Sequence, residues 1–568
     1  MTSKQKKNYW PLVLAAVIVL VAGLIISGQD KKPDEPVPAA PVSKPQIFSL
    51  TLMHTNDVHS AYGGFTEKNL LCYQPVCEGG KGGSVRLDRA VRAIRQKNPD
   101  ALLVDAGDEF QGTLYWSLHR EKAVSQIIDQ IEYTAIIPGN HEFDDGNDTF
   151  LRYVKNIETP VLAANITFDP PLPGSERIQP WLVTEQAGRK IGLIGIANEH
   201  TPELASPDSG VSFANETETL QKMADELTAQ GVDIIIAITH IGLENDKRLA
   251  RAVTGVDVIA GAHSHSVLLN DESSAEAEGP YPVVEKAPDG QPVLVVTAGT
   301  ATNYLGHIQI DFDSAGIPVA WTGAPITLND ETLASLNAPA ANEKLTETVE
   351  ALSVPVRAML DEPLGRIMTD SIAEGSPMET PNIYQCRAGE CLTGNIAADA
   401  LLKIPFADAD IVLLNGGGLR FSLPVGQVSA GDVMATMPFQ NTPMMSEMPG
   451  AVIRLALEHG VYTYGDGEGR FMQTAGLRYS FNPKNEAGSR IVAAEVQTPD
   501  EQWQPLDDDR TYKVVVVDFL SRGGDGYTMF ADQKWSEAQM LMNDALRLYL
   551  EQHSPVTINL EGRIKIVE

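Results

Sequence analysis

The sequence predicts a layered α/β protein with two domains joined by a connector. Three observations lead to this fold class. The chain has 568 residues, more than a single hydrophobic core usually serves. Short apolar segments alternate with segments of helical periodicity, which is typical of sheets covered by helices. Several apolar segments in residues 47–328 also end in turns that carry polar side chains, as strands do when their carboxyl ends form a site.

The composition limits the functions that fit this chain. Hydrophobic residues make up 43% of it, and the formal net charge is -32. We therefore expect a soluble globular body. Binding to a nucleic-acid polymer is not expected, because phosphate backbones need clustered lysine and arginine. A small phosphate compound held by metal ions and a few arginines is compatible with this charge.

The first 46 residues predict export. Three lysines precede an uncharged, mostly apolar stretch at residues 8–29. Residues 1–29 predict a signal peptide or a signal anchor, since the apolar core is intermediate in length between the two. The positive charge of the lysines before the apolar stretch predicts that the rest of the chain reaches the bacterial periplasm or cell envelope, with or without an inner-membrane anchor. Residues 30–46, rich in proline, lysine and alanine, predict a flexible linker.

The four cysteines form two local pairs. Cys72 and Cys77 are five positions apart, and so are Cys386 and Cys391. In an exported protein this spacing favours two small disulfide loops. A zinc site built from all four thiolates is the alternative. The distance between the pairs and the lack of the tighter C-x2-C spacing weigh against it.

The first expected strand, residues 47–53, leads into the sequence HTNDVH. Asp57 and His59 stand two positions apart there, so on an extended chain they point to one side and can serve one metal ion. A second strand, residues 101–104, ends in DAGDEFQG. Asp108 has small neighbours in that sequence, which allows it to bridge two cations.

A third apolar run, residues 135–137, stops at PGNHEFD. Asn140 offers a neutral oxygen ligand and His141 an imidazole. Asp144, three residues further on, is a carboxylate that could orient this imidazole. The turn after the apolar run indicates a strand whose carboxyl end carries chemistry.

Two later strands continue this pattern. Residues 232–238 end in THIG, which contains His240. Residues 256–260 lead into GAHSH, where His263 and His265 again stand two positions apart. All five clusters therefore follow predicted strands.

The remaining pattern completes the predicted architecture. Residues 84–97 predict a helix with a basic outer face, and residues 191–196 predict another strand. Residues 329–360 predict the connector, including a helix at 343–352, and residues 361–568 predict a second α/β domain.

Seven side chains from the strand ends match the needs of a two-metal hydrolase. Each ion needs about four ligands, and one carboxylate can be shared between neighbouring ions. With one shared carboxylate, the following residues give four ligands to each ion: Asp57, His59, Asp108, Asn140, His240, His263 and His265. Any one of them alone has an ordinary structural explanation, but chance does not readily place all five clusters after apolar runs.

These motifs resemble a known family. HTNDVH, DAGDEFQG, GNHEFD, THIG and GAHSH, in this order, resemble the metallophosphoesterase domain of secreted 5′-nucleotidases. In the second domain, NGGGLR, MPFQN and DFLSRGGDGY are similar to the nucleotide-binding domain of that family. The resemblance implies an N-terminal catalytic domain and a C-terminal substrate domain. It also implies disulfides at the two cysteine pairs.

The resemblance implies a role for each candidate residue of the first domain. Asp57, His59 and His265 would hold one metal ion, and Asn140, His240 and His263 the other. Asp108 would bridge the two ions, and His141 with Asp144 would form the catalytic pair. Some bacterial members carry glutamine at the position of His265. The imidazole-rich set suits zinc, although mixed nitrogen and oxygen ligands also accept manganese or cobalt.

The resemblance likewise implies the substrate contacts in the second domain. Two aromatic side chains would hold the nucleobase between them, an arrangement that grips any base through its flat face. A carboxylate would bond the ribose hydroxyls, and one asparagine and two arginines would complete the site. The implied residues are Phe439 and Phe519, Asp525, Asn415, Arg387 and Arg420.

The expected activity is removal of the 5′-phosphate from nucleoside monophosphates. Hydrolysis of UDP-sugars, of dinucleotides such as NAD, or of 2′,3′-cyclic nucleotides is the alternative within the same class. From another class, a non-catalytic nucleotide-binding or adhesion protein could retain this fold. Since metal ligands and base contacts lie in different domains, we expect the connector to act as a hinge that closes the site. The sequence leaves the oligomeric state open.

Overall fold

The computed structural model describes residues 47–67, 71–205, 207–271, 274, 276–379, 384–404, 408–439, 441–538 and 540–567. The predicted signal segment and linker, residues 1–46, lie outside these described residues. Within the described ranges, no helix is both long and apolar enough to cross a membrane.

Strands and short helices alternate through the first half of the chain. The strands are β1 (Phe48–Thr55), β2 (Leu102–Asp105), β3 (Ala135–Ile136), β4 (Val161–Leu162), β5 (Ile166–Phe168), β6 (Ile178–Gln179), β7 (Trp181–Gln186), β8 (Arg189–Ile196), β9 (Val211–Phe213), β10 (Ile234–Thr239), β11 (Val258–Ala260), β12 (Val267–Leu268), β13 (Ala277–Gly279), β14 (Val283–Lys286), β15 (Pro292–Val296), β16 (Tyr304–Phe312), β17 (Pro318–Gly323) and β18 (Ile326–Thr327). The helices are α1 (Ser84–Lys97), α2 (Leu114–His119), α3 (Glu121–Ile131), α4 (Gly146–Asn156), α5 (Thr201–Leu204), α6 (Glu216–Ala229), α7 (Leu243–Ala252), α8 (Asp330–Ser335) and α9 (Glu343–Leu360).

Two sheets form the centre of this half. One runs in the order β17-β16-β1-β2-β3-β4-β6, with β18 also pairing with β16, and the other runs β14-β15-β11-β10-β8-β7. The pairs β1–β2, β2–β3, β8–β10 and β10–β11 are parallel. Parallel neighbours end at the same edge, so the loops after β1, β2 and β3 meet, as do those after β10 and β11.

The two sheets share one apolar core. Leu52 and Val104 of the first sheet belong to the same buried cluster as Leu193, Ile236 and Val258 of the second. Burial of such a side chain contributes about 1.5–3 kcal/mol. This packing therefore fixes the carboxyl ends of both sheets relative to each other.

The connector is attached to the basic face of α1. Arg86 forms an ion pair with Asp330 at 3.1 Å. Arg89 donates to the carbonyl of Pro339 at 2.8 Å, and Arg92 donates to that of Ala340 at 2.7 Å. The basic face predicted for this helix thus binds the protein's own chain.

Helix α9 is longer than the sequence predicts. We expected a helix at residues 343–352, but α9 continues through Pro355 to Leu360. Proline supplies no backbone N–H to the preceding turn. Side chains of α2 support this region instead: a ring nitrogen of His119 donates to the carbonyl of Leu352 at 2.9 Å, and the hydroxyls of Tyr115 and Ser353 are 2.7 Å apart.

The described residues of the second half of the chain form three further sheets with helices. Its strands are β19 (Pro363–Met368), β20 (Ile411–Asn415), β21 (Gly426–Ser429), β22 (Pro443–Pro449), β23 (Met472–Ala475), β24 (Leu477–Phe481), β25 (Ile491–Gln497), β26 (Trp503–Pro505), β27 (Thr511–Val517), β28 (Ser536–Glu537), β29 (Val556–Thr557) and β30 (Ile564–Ile566). Its helices are α10 (Leu392–Leu402), α11 (Ala430–Thr436), α12 (Gly450–Gly460), α13 (Asp518–Ser521), α14 (Thr528–Ala531) and α15 (Met542–His553).

One of these sheets, ordered β23-β20-β27-β22-β28, positions two of the predicted substrate residues. β20 and β27 are parallel neighbours, with Val412 opposite Val515. Asn415 is the last residue of β20, and Phe519 lies in α13 directly after β27. Both residues therefore stand at the same edge of the sheet.

Both cysteine pairs form disulfides, Cys72–Cys77 and Cys386–Cys391. The predicted pairing is confirmed. A zinc site made from all four thiolates is excluded in this state, because each sulfur is already bonded to another sulfur.

Candidate active site

The loops that follow β1, β2, β3, β10 and β11 bring the predicted metal ligands together. Ligand atoms of Asp57, His59 and His265 all lie within 4.8 Å of one another. Those of Asp108, His240 and His263 also lie within 4.8 Å of one another. We call these the first and the second ligand group. Each group contains one carboxylate and two imidazoles.

The two ligand groups are adjacent. In the first group, the Nε2 atoms of His59 and His265 are 3.1 Å apart, and Nε2 of His265 lies 3.4 Å from Oδ1 of Asp57. In the second group, Nε2 of His240 lies 3.0 Å from Oδ2 of Asp108. Between the groups, Nε2 of His240 lies 3.9 Å from Oδ1 of Asp57. Two neighbouring ions could therefore share ligands.

Backbone carbonyls orient two of the four histidines. Nδ1 of His59 donates to the carbonyl of Phe110 at 3.1 Å, and Nδ1 of His240 donates to that of Ala106 at 2.7 Å. In the neutral form of each ring, Nε2 then carries the lone pair that binds a metal ion. The side-chain amide of Asn56 donates to Oδ2 of Asp57 at 2.8 Å.

Most of the candidate ligands have an unusual backbone conformation. A positive φ occurs at these five positions: Asp57 (50°), His59 (49°), Asp108 (60°), His263 (81°) and His265 (56°). Residues other than glycine seldom adopt this left-handed region, which costs about 1–3 kcal/mol each and is concentrated at functional sites. The surrounding loops thus hold these side chains in place at a cost in stability.

The pKa shifts of the ligand side chains favour the binding of cations. Burial alone would raise the pKa of Asp57, but His265 and His240 outweigh it and lower the pKa to about 2. Burial alone would lower the pKa of His240, but Asp108 and Asp57 outweigh it and raise the pKa to about 10. Burial lowers the pKa of His59 to about 3. The two carboxylates thus remain charged and attract positive charge.

Asn140 tests whether the site fits a metal ion. Its side chain is buried, with 4% of its surface exposed, and in the described ranges of the chain Oδ1 has no hydrogen-bond partner. A buried polar atom without a partner costs about 1–3 kcal/mol unless a ligand satisfies it. The donor set of imidazole, carboxylate and amide oxygen atoms suits zinc, manganese or cobalt. The residues therefore fit two divalent ions.

His141 and Asp144 form a pair next to the second ligand group. Nδ1 of His141 donates to Oδ2 of Asp144 at 2.6 Å, and the backbone N–H of His141 donates to Oδ1 of Asp108 at 2.9 Å. Burial alone would lower the pKa of His141, but Asp144 and Asp108 outweigh it and raise the pKa above its ordinary value. The pair thus favours the protonated form of this imidazole.

Two of the predicted substrate residues reach this pair from the second half of the chain. The ring of Phe439 stacks on that of His141, with centroids 6.0 Å apart. The guanidinium of Arg420 lies 5.8 Å from the centre of the Phe439 ring. Burial and the neighbouring Arg387 lower the pKa of Arg420 to about 10. The candidate site is therefore built from both halves.

Asn415 and Asp525 lie together, because Nδ2 of Asn415 donates to Oδ2 of Asp525 at 2.8 Å. Arg387 donates to the carbonyl of Gly467 at 3.2 Å, while its buried Nε atom has no hydrogen-bond partner among the residues that the structure describes. Oδ1 of Asn415 is likewise buried, with no hydrogen-bond partner in the described part of the chain. Polar atoms of both side chains are therefore available to a ligand.

Phe519 is placed by a glycine. A Cβ atom on Gly524 would lie 2.5 Å from the Phe519 ring, so only glycine allows this close contact. In the described part of the chain, no ring contact joins Phe519 to Phe439. Stacking of a base between these two rings remains a prediction.

Sequence reasoning missed three residues around the site. Glu142 accepts hydrogen bonds from two ligand loops, and Asn56 orients Asp57. His459 donates to the backbone carbonyl of Asp525 at 2.8 Å. Glu142 and Asn56 stand inside the quoted motifs, which was the available signal. His459 had none, since it lies 66 positions from Asp525 in the sequence.

The fold and the two ligand groups define a metal-dependent phosphoesterase with a dinuclear site. Residues 50–267 match the family model described as calcineurin-like phosphoesterase. Residues 364–532 match the one described as 5′-nucleotidase, C-terminal domain. The predicted fold class, with an N-terminal metallophosphoesterase domain and a C-terminal domain of the 5′-nucleotidase type, is thereby confirmed.

Whole-chain comparisons lead to the family. The chain is 31% identical to a snake venom 5′-nucleotidase of Naja atra, over 91% of this chain and 98% of that one. It is 31% identical to the 5′-nucleotidase of Homo sapiens, over 91% of each chain. The crystal structure of a 5′-nucleotidase precursor from Thermus thermophilus is 32% identical, covers 92% of this chain and 100% of its own, and superposes with a TM-score of 0.81. The chain belongs to the 5′-nucleotidase family.

Proposed function

We propose that this protein removes the 5′-phosphate from nucleoside monophosphates at a two-metal site. One observation carries this proposal: the adjacent ligand groups, the His141–Asp144 pair and the Phe439–Arg420 contact converge on one place. The first two elements suit phosphoryl chemistry. The third joins this chemistry to a surface that suits a nucleoside.

The seven predicted ligands divide between two ions. Asp57, His59 and His265 would hold one ion. Asn140, His240 and His263 would hold the other, and Asp108 would contact both. Two divalent ions bound there supply an activated water for in-line attack on phosphorus and positive charge for the phosphoryl oxygens. Zinc suits so many imidazoles best, and manganese or cobalt are the alternatives.

The protein's own residues position and neutralise the phosphate. Protonated His141 would donate to a phosphoryl oxygen, with Asp144 fixing the ring and stabilising the imidazolium charge. Arg420 would offer its planar N–H groups to the phosphate, a geometry that suits two oxygens at once. Both side chains already lie beside the same Phe439 ring.

The second half of the chain would hold the nucleoside. Phe439 and Phe519 would stack on the base, which contributes about 1–3 kcal/mol per base with little preference among bases. Asp525, which pairs with Asn415, would accept hydrogen bonds from the ribose hydroxyls. Arg387 would complete the contact to ribose and phosphate.

The proposed domain boundaries separate the metal ligands from the residues that would hold the nucleoside. We assign residues 47–328 to the catalytic domain, 329–360 to the connector and hinge, and 361–568 to the substrate domain. Residues 1–29 would direct export as a signal peptide or signal anchor, and 30–46 would be a linker. Two disulfides support an oxidising location such as the periplasm or cell envelope.

Identification of the hydrolysis products tests the proposed function, because first-step hydrolysis of UDP-glucose, NAD or 2′,3′-cyclic AMP releases no inorganic phosphate. The full exported chain is assayed with AMP, ADP, ATP, UDP-glucose, NAD and 2′,3′-cyclic AMP, each with and without a chelator. We expect AMP to be hydrolysed, the activity to be lost with the chelator, and Zn²⁺, Mn²⁺ or Co²⁺ to restore it. Faster hydrolysis of UDP-glucose, NAD or the cyclic nucleotide would favour the alternative substrates. No hydrolysis of any of them in the metal-loaded protein would favour a non-catalytic binding protein.

The His141–Asp144 pair predicts a specific pH dependence. Asp144 helps to raise the pKa of His141, so the imidazolium form persists to higher pH and activity is lost as pH rises through that raised pKa. Asp144→Asn removes this carboxylate and lowers the pKa of His141. We therefore expect the alkaline limb of the kcat profile to move to lower pH. An alkaline limb that keeps its position would contradict a protonated His141.

A further inference from the structure

Glu142 is a buried carboxylate that joins two of the ligand loops. Only 1% of its surface is exposed. Its Oε2 atom accepts from the backbone N–H of Gly139 at 2.6 Å and from that of Asp108 at 3.1 Å. Its Oε1 atom accepts from the N–H of Glu109 at 2.8 Å and from that of Phe110 at 3.1 Å. Four donors from two loops thus meet one side chain.

These four donors differ from ordinary loop contacts. The N–H groups of three consecutive residues, 108–110, point to one carboxylate, which is the arrangement of a backbone anion site. The contacts also cross from the loop after β2 to the loop after β3. Glu142 therefore connects the two loops through four directed hydrogen bonds.

The two loops are close enough for their relative position to matter. A Cβ atom on Gly139 would lie 2.2 Å from Oδ1 of Asp108 and 2.7 Å from Cε1 of His240. A Cβ atom on Gly107 would lie 2.4 Å from the backbone nitrogen of Gly139. The backbones are thus in direct contact beside the second ligand group. A small displacement of either loop would change the distances between ligand atoms.

We infer that Glu142 is a positioning residue for the dinuclear site. It fixes Asp108, the bridging ligand, relative to Asn140 and His141, whose backbone N–H donates to Oδ1 of Asp108. The four hydrogen bonds of the Glu142 carboxyl group described above are all to backbone N–H groups. The inference rests on the proposed two-metal function and adds the residue that sets the geometry between the bridging ligand and the second ion.

Glu142→Gln tests this role with almost no change in volume. The amide keeps one acceptor oxygen but turns an NH₂ group towards backbone N–H donors, so two of the four hydrogen bonds are lost. We expect affinity for the second ion to fall about 10–100-fold, as for other residues that orient metal ligands. kcat should fall with it, while KM for AMP changes little, because the nucleoside contacts lie elsewhere.

Two further variants make the result specific. Glu142→Asp retains the charge on a shorter side chain and should restore part of the metal affinity. Glu121→Gln is the matched control, since Glu121 is also buried, with 6% exposed, but pairs with Arg152 instead of a ligand loop. It should leave metal affinity and kcat unchanged. Metal content by mass spectrometry, metal titration and melting temperature are measured on each full-length variant.

The outcomes separate this inference from the proposed function. Loss of metal affinity and kcat in Glu142→Gln, with partial recovery in Glu142→Asp, supports the positioning role. A lower melting temperature with wild-type metal affinity and kcat would make Glu142 merely structural and overturn the inference. If Glu142→Gln does not fold, Glu142→Asp is the deciding variant. Wild-type metal affinity in Glu142→Asp would then overturn the inference. A wild-type protein that binds fewer than two ions would instead overturn the proposed function.

Discussion

His141→Asn is expected to lower kcat by at least about 10²-fold, the usual contribution of a positioned proton donor. Asparagine removes the imidazolium charge but keeps the backbone N–H that donates to Asp108 at 2.9 Å. Metal content should therefore stay at the wild-type value. The measurement is kcat with AMP under saturating metal, together with metal content of the same sample.

His553→Asn is the control for this prediction. His553 ends α15 and packs against Tyr549, with ring centroids 4.7 Å apart, so its loss removes an imidazole without touching the candidate site. Its kcat should match the wild type. Near-normal turnover in His141→Asn would reject the assigned role of His141, and loss of metal in that variant would place His141 among the groups that support the ligands.

The sequence predicts regular elements well where apolar periodicity is strong. The helix expected at residues 84–97 coincides with α1, and the strand expected at 47–53 overlaps β1 almost completely. Both segments alternate or repeat apolar positions along their whole length, which is the signal that such predictions depend on. Strand ends were also visible, because each candidate cluster follows an apolar run.

Tertiary support is harder to see in a sequence. The helix expected to end at residue 352 continues to Leu360, although Pro355 would normally interrupt it. Contacts from α2 lie beside this part of the helix, among them that of His119, whose ring nitrogen donates to the carbonyl of Leu352. Since 233 positions separate these residues, no local pattern reports their contact.

The detailed site geometry was likewise beyond sequence patterns. Motif order suggested that Asp57 and His265 converge, and the structure brings them to 3.4 Å. The positive φ at Asp57 and Asp108 was not visible, because neither residue type requires it. The contact of Phe439 with His141 joins two halves of the chain and could only come from the fold.

Asp108→Asn is expected to have the largest effect of any single conservative change. The amide has almost the same shape, and its oxygen can still accept the N–H of His141, which donates to Oδ1 at 2.9 Å. It lacks the negative charge and the second oxygen needed by a ligand shared between two ions. We expect metal content to fall from two ions towards one, and kcat/KM with AMP to fall by at least about 10³-fold, since water activation depends on the ions.

Asp105→Asn is the matched control, three residues earlier in the same segment. Asp105 is fully buried, and burial raises its pKa to about 8, so it is mostly uncharged at pH 7. An amide there replaces a neutral group, and its oxygen can still accept the N–H of Gly107, which now donates at 2.9 Å. Metal content and kcat should stay close to wild type. If Asp108→Asn also keeps both ions and normal turnover, the shared carboxylate is not required, and the two ligand groups must hold their ions independently.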